Sequence, residues 1–126
     1  IMGIKADVFS PNALGAILTE QSIAALDVAV VAGAANNQLA TAHDGARLAA
    51  RGILYAPDYV INAGGIISVV AEYLARNHGE IITLDEVNAQ VDAIGPRLAT
   101  LFADADASGL PTDVVADRTA QRLIGR

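Results

Sequence analysis

Four asparagines and one glycine pair are the residues of this chain whose types and spacing could do recognition chemistry. Asn12, Asn36, Asn37 and Asn62 each fall in a polar break just after a short apolar run, and Gly64-Gly65 follow Asn62 almost at once. A carboxamide offers an acceptor and two donors without charge, which suits a carboxamide, a ribose or a carboxylate as ligand. Asparagine also favours turns, and each of the four taken alone reads as a turn residue first. A glycine pair ahead of a helix lets a ligand approach the backbone, where the free N–H groups of the first turn point at it. The same pair serves equally well for a tight turn. Acid–base and metal constellations are sparse. His43 and His78 are the only histidines and sit in or beside polar segments, as solvated residues do. Asp7 and Asp58 flank strand ends, where capping and catalysis are equal readings. No spacing of His, Asp and Glu suits a metal, and neither a Gly-x-Gly-x-x-Gly loop nor a P-loop is present. No catalytic residue and no metal ligand is therefore assigned.

The elements that must position these residues follow from the apolar pattern. Asp7 to Phe9 reads as a short strand, ended by Ser10-Pro11, and Asn12 to Gly15 as a loop or helix start. Thr19 to Leu26 reads as a helix with Ile23 and Leu26 on one face. Val28 to Ala32 is the clearest strand, apolar on both faces as a central parallel strand requires. It ends in Gly33-Ala34-Ala35-Asn36-Asn37. Asp44 to Ala50 is a second helix, with Gly52 as its C-terminal cap. Ile53 to Ala56 is the third strand, stopped by Pro57, which has no N–H to give a ladder. Strands separated by helices are the βαβ pattern of a parallel sheet. Its loops then lie together at the carboxyl ends of the strands, where ligands bind.

Beyond residue 57 the pattern turns helical. Asp58 to Ile61 reads as a loop, followed by a helix from about Ile66 to Arg76 with Val69, Val70, Tyr73 and Leu74 facing inward. Asn77-His78-Gly79 ends it. Thr83 and Glu86 form a capping box. Leu84, Val87, Val91, Ile94, Leu98 and Leu101 make the apolar stripe of one long helix, kinked at Gly95-Pro96 and ended by Gly109. Pro111-Thr112 opens a last helix packing through Val114, Val115 and Leu123.

The chain has 126 residues, 53% of them hydrophobic, which predicts a globular α/β unit with a real core. A net charge of −6 argues against nucleic acid as a partner. No apolar run reaches the length of a membrane span. Cysteine is absent, so disulfides and thiolate zinc sites are excluded. With no signal peptide visible, a cytoplasmic location is expected.

Three stretches, taken together, resemble a known family. They are Asp7-Val8-Phe9-Ser10-Pro11-Asn12-Ala13-Leu14-Gly15, Val31-Ala32-Gly33-Ala34-Ala35-Asn36-Asn37-Gln38-Leu39, and Gly52 through Gly65 with Tyr55-Ala56-Pro57-Asp58 at its centre. In this order and spacing they resemble the glutamate/leucine/phenylalanine/valine dehydrogenases, the leucine dehydrogenase branch most closely. Pro111-Thr112 and Ala116-Asp117-Arg118 fit the carboxyl-terminal end of such enzymes, and Ile1 and Gly3 look like residues inside their cofactor domain. The resemblance implies the second half of a Rossmann-type NAD-binding domain. Residues 1–65 would supply three parallel strands with helices, and residues 66–126 a helical segment packing on them.

The implied activity is that of the full subunit: oxidative deamination of an apolar L-amino acid to its 2-oxo acid and ammonia, with NAD as cofactor. By resemblance, Pro11, Ala13, Leu14, Ala34, Ala35, Asn36, Asn62 and Gly64 bind the nicotinamide end of the cofactor. Asn36 also holds the substrate carboxylate, and Ile66 and Val69 line the side-chain pocket. Ile66 and Val69 suit an ordinary core role nearly as well. Two departures stand out. Ser10-Pro11-Asn12-Ala13 replaces the Ala-Pro-Cys-Ala usual in the family. The lysine-bearing catalytic domain, the glycine-rich pyrophosphate loop and the acidic ribose anchor have no counterpart, and Lys5 cannot stand in for the catalytic lysines. The chain thus looks like a carboxyl-terminal part of a homo-oligomeric dehydrogenase, inactive alone. The other reading is a non-catalytic binding or scaffold module. In a sheet of order 3-2-1-4-5-6 the Asp7–Phe9 strand is the fourth. Its open edge is expected to pair with the rest of the subunit or with a second copy.

Overall fold

Val30 and Val31 form the middle strand of a three-stranded parallel sheet in the computed structural model, which describes residues 2–125. Ile1, read above as internal to a larger domain, lies outside the described residues. Strand β1 (Val8–Phe9), β2 (Val30–Val31) and β3 (Leu54–Tyr55) lie in the order β1-β2-β3, with Val8, Val30 and Leu54 in register across the sheet. The apolar runs are longer than the regular strands, but their pairing continues. The Ala6 N–H donates to Asp27 O (3.0 Å), Ala32 N–H to Phe9 O (3.0 Å) and Ala56 N–H to Val31 O (2.9 Å). The α/β class and the three parallel strands are those expected.

Two helices cover one face. Thr19 caps α1 (Glu20–Ala25): its hydroxyl accepts the Ser22 N–H at 3.1 Å, and the Ser22 hydroxyl accepts the Thr19 N–H at 2.8 Å. At the start of α2 (Asp44–Ala50) the buried Asp44 carboxylate accepts the Thr41 N–H (2.7 Å) and pairs with Arg47 (3.0 Å). Gly52 follows α2 at φ +69°, a conformation that costs a side chain dearly and glycine nothing. Leu18, Ile23, Leu26, Leu48, Ile53, Val31 and Tyr55 close into one buried core.

The second half departs from expectation in several places. Asp58 to Ile61 is a helical turn, α3 (Asp58–Ile61), rather than a loop: the Pro57 carbonyl accepts the N–H groups of Val60 (2.9 Å) and Ile61 (3.0 Å). Helix α4 (Gly64–His78) starts two residues before Ile66, so both glycines are helical and neither has positive φ. Val69, Val70 and Tyr73 on α4 are exposed rather than inward, and Leu74 is half-buried. The long kinked helix is two helices, α5 (Leu84–Asp92) and α6 (Ile94–Ser108), broken at Ala93. Pro96 has no N–H for the Asp92 carbonyl, and its ring crowds that carbonyl, so the helix restarts with Pro96 in its first turn. Leu84 at the head of the expected stripe is exposed, whereas Leu101 is buried.

Helix α7 (Thr112–Leu123) packs along α6 through Leu101, Ala105, Val115 and Ala116, and it reaches α2 and β3. The Thr112 hydroxyl donates to the Tyr55 carbonyl at 2.7 Å. Val115 packs as expected; Leu123 is 83% exposed, because no element among the described residues covers the last turn.

Candidate functional site

The loops that leave the three strands meet at one end of the sheet. Pro11, buried at the end of β1, accepts the Ala35 N–H at 2.9 Å. Gly33 lies so close that a β-carbon there would strike the Pro11 backbone and ring, so a glycine is required by packing. Asn12 reaches across the same gap: its Oδ1 accepts the Ala34 N–H at 2.8 Å, while its Nδ2 donates to Ser10 O and Oγ at 3.0 Å. Asn12 is thus a structural link between two loops.

The next layer ties the β2 loop to β3. Asn37, at φ +52°, donates its N–H to Asp58 Oδ2 at 2.6 Å, and its carbonyl accepts the Ala16 N–H at 2.6 Å. The buried Tyr55 hydroxyl donates to Asp58 Oδ1 at 2.7 Å. Burial, then that bond, pushes the Tyr55 hydroxyl far above its ordinary pKa, so it stays protonated. Asp58 is therefore a brace with both oxygens engaged. The Asn62 Nδ2 donates to Asn36 Oδ1 (2.5 Å) and Ala34 O (3.3 Å), joining the β2 loop to the start of α4.

Above these bonds opens a cleft of about 800 Å³. Ala34, Asn36, Asn62, Gly64 and Ile66 line it, together with Asn37 and the edge of Asp58; Val91 of α5 and Ile94 of α6 form the opposite wall. A β-carbon on Gly64 or Gly65 would meet nothing within 4 Å, so the glycines leave open space beside the amides. Of the other residues singled out from the sequence, Pro11 and Ala35 are buried beneath the loops. Ala13 and Leu14 are exposed on the β1 loop outside the lining, and Val69 is exposed beyond its end. The brace of Asp58 and the wall of Val91 and Ile94 were not read from sequence. Asp58 had one signal, an acid directly after Tyr-Ala-Pro at a strand end. Val91 and Ile94 looked like ordinary stripe residues.

Apart from Asp58, whose two oxygens are both engaged, the lining carries no charged side chain. Tyr59, also on the cleft, donates its hydroxyl to Asp117 Oδ1 at 2.7 Å; burial and that bond raise its pKa well above the ordinary tyrosine value. No group of three potential metal ligands occurs among the described residues. No helix there is long and apolar enough to cross a membrane. The arrangement can bind and orient through amides, backbone groups and small apolar surface. It holds no free base.

The sequence model of the Glutamate/Leucine/Phenylalanine/Valine dehydrogenase family matches residues 1–111. The chain belongs to this family. It is 41% identical over 124 residues to the leucine dehydrogenase of Thermoactinomyces intermedius, covering 98% of this chain and 32% of that protein. It is 44% identical over 118 residues to the valine dehydrogenase of Streptomyces albus, covering 92% and 30%. Among solved structures it superimposes on the L-tryptophan dehydrogenase of Nostoc punctiforme with a TM-score of 0.89 at 39% identity, over 99% of this chain and 36% of that one. The chain thus spans about a third of the length of the curated relatives it matches.

Proposed function

We propose that this chain forms the nicotinamide-side pocket of an NAD-dependent amino-acid dehydrogenase subunit that oxidatively deaminates an apolar L-amino acid to its 2-oxo acid and ammonia. The observation that carries this reading is the Asn36–Asn62 carboxamide pair beside the open backbone of Gly64 and Gly65, in a cleft at the carboxyl ends of parallel strands. The donor set fits a nicotinamide, whose carboxamide is uncharged. Asn36, Asn62, Ala34 and Gly64 would hold it, and when bound the cofactor accepts a hydride. Asn36, with two amide donors not used by Asn62, would hold the substrate carboxylate, and Ile66 would face its side chain. Leucine, isoleucine or valine match that apolar wall.

Hydride transfer from an amino acid needs a group to take the ammonium proton and to activate water, and a neutral amide cannot. The 126-residue chain alone is accordingly expected to bind but not to turn over. The pyrophosphate cradle that gives dinucleotide sites much of their affinity is not among these residues, so NAD should bind with a dissociation constant of order millimolar, about −4 kcal/mol. The partner expected along the open edge of β1 is the remainder of such a subunit or a second copy of the chain. The test is a titration of the chain with NAD and with nicotinamide mononucleotide, followed by nuclear magnetic resonance. Shifts at Ala34, Asn36, Asn62 and Gly64 are expected, together with no NADH formation from leucine. Turnover by this chain alone, or shifts confined to other surfaces, would overturn the reading.

A further inference from the structure

Asn12 and Gln38 hold the loop after β2 from opposite sides, and neither faces the cleft. Asn12 comes from the β1 loop, with Oδ1 on the Ala34 N–H (2.8 Å) and Nδ2 on both oxygens of Ser10 (3.0 Å), which fixes the way its carboxamide points. Gln38 comes from below. It is fully buried, and its Nε2 donates to Gly33 O at 2.7 Å and Ala35 O at 2.9 Å. Its Oε1 has no partner among the described residues. A buried carboxamide with an unused acceptor is costly compared with an apolar side chain of the same shape. What the amide contributes in return is the pair of bonds to the loop carbonyls. Between these two anchors sits Asn36, whose own carboxamide already meets Asn62.

We propose that Asn12 and Gln38 are positioning residues: they bracket the Gly33–Asn37 backbone and thereby set where Asn36 presents its amide to a ligand in the cleft. The functional half of this statement rests on reading the cleft as the nicotinamide and amino-acid pocket. The structural half stands on the bonds alone. A loop held in its bound geometry beforehand loses less freedom when the ligand arrives, so affinity falls when a bracket is removed even though no ligand contact is touched.

The experiment uses the 126-residue chain with Asn12→Ala, Asn12→Asp and Gln38→Leu. It reads amide exchange at Ala34, the side-chain amide resonances of Asn36 and Asn62, affinity for nicotinamide mononucleotide, and melting temperature. Asn12→Ala should speed exchange at Ala34 about fivefold, the worth of one net hydrogen bond. It should shift the Asn36 resonances and weaken ligand binding by a similar factor, with little change in melting because Asn12 is exposed. Asn12→Asp keeps an acceptor for the Ala34 N–H but sets a carboxylate oxygen against the Ser10 carbonyl where Asn12 donates, so it should recover Ala34 exchange and the Asn36 resonances only in part. Gln38→Leu should weaken binding and shift Asn36; if it fails to fold, the Asn12 pair alone decides. Unmoved Asn36 resonances in Asn12→Ala, or exchange at Ala34 no faster than in the parent, would overturn the bracket. If the resonances and exchange respond while the unaltered chain binds no nicotinamide mononucleotide, the bracket stands and the assignment of the cleft falls.

Discussion

Helices α1 and α2 and helix α4 all carry large apolar side chains, which end in opposite circumstances. Ile23 of α1 and Leu48 of α2 are almost fully buried, because the sheet lies within reach of both helices and offers a continuous apolar face. On α4, Val69 and Tyr73 are 60% and 58% exposed, and α4 packs chiefly along α5, which covers only a strip of it. A period of 3.6 says that a helix has an apolar face. It does not say that the same stretch of chain supplies the cover. The loops show the same contrast. The β1 and β2 loops are locked to one another, while the glycines that open α4 border empty space.

The largest expected effect tests the packed half against the bare helix. Leu48→Ala should cost about 3 kcal/mol in chemical denaturation, since a fully buried leucine leaves a cavity when truncated. Val69→Ala should stay within about 0.5 kcal/mol, as exposed substitutions do. Equal costs at the two sites would mean that α4 is covered in solution and the contrast is false. Tyr55→Phe tests the brace beneath the cleft. It strands Asp58 Oδ1 without its donor and should cost about 1–3 kcal/mol.

Two glycines sharpen the comparison through sign. Gly33→Ala drives a methyl into the Pro11 backbone, which cannot swing aside as a side chain would. About 1–3 kcal/mol of destabilisation is expected. Gly64→Ala meets nothing, and in a helical first turn alanine should stabilise by about 0.5–1 kcal/mol. The same methyl intrudes on the cleft, so nicotinamide mononucleotide should bind more weakly to the more stable variant. A Gly64→Ala chain that is both more stable and unimpaired in binding would detach the glycine from the site.

What could be read in the sequence was whatever its own neighbours decide. Val28 to Ala32 was legible as the middle strand of the parallel sheet and Gly52 as the cap of α2; β2 does pair along both edges, and Gly52 does take positive φ. Asn36, Asn62 and Gly64 could be singled out as residues after strand ends in a parallel sheet, whereas Ile66 was singled out only through the family resemblance. They do line one cleft. Asp58 to Ile61 was not legible as a helix, because a four-residue turn has no periodicity to show. The break at Ala93 was half legible. Pro96 announces a disruption, but only the clash with the carbonyl four residues earlier places it at the end of α5. Gln38 gave no signal at all, since burial of a polar residue is decided by bonds that only the fold makes.

A smaller effect concerns Asp113, at the contact between α7 and α2. Its carboxyl lies against Gly45, and its Oδ1 is buried without a partner among the described residues. Burial, opposed by N–H bonds at the start of α7 and assisted by Asp117, raises its pKa. The sign follows from linkage: the folded state holds this proton more tightly than the unfolded one. Stability therefore falls as pH rises from the ordinary aspartate value of about 3.9 through the raised folded value, and stays lower above it. Asp113→Asn should be more stable than the parent at neutral pH, with the advantage vanishing on acidification. The effect should be smaller than that of Leu48→Ala, since Asp113 is only half-buried and solvent screens it. An advantage that persists unchanged at low pH would point to packing against Gly45 instead.

The smallest effect separates α5 from the rest by its cap. The Thr83 hydroxyl accepts the Glu86 N–H at 3.3 Å, and Glu86 Oε2 accepts the Thr83 N–H at 2.7 Å. The Thr83 N–H bond, and then the Thr83 hydroxyl donating to the same Oε2 at 2.9 Å, hold the Glu86 pKa below its ordinary value. The sign is opposite to that at Asp113. The contribution is full above the ordinary glutamate pKa of about 4.3 and is lost as pH falls through the lowered folded value. Helix α5 has no buried residue, so its first turn depends on this cap more than α1 depends on the Thr19–Ser22 box, which Ile23 anchors from behind. Acidification should therefore lower amide protection, taken relative to the intrinsic exchange rate at each pH, at the start of α5 before it lowers that of α1. Glu86→Gln keeps a side-chain acceptor for the Thr83 N–H but cannot titrate, so it should flatten that pH dependence. If α1 and α5 loosen together in acid, or if the Gln variant titrates as the parent does, the cap is not what separates them.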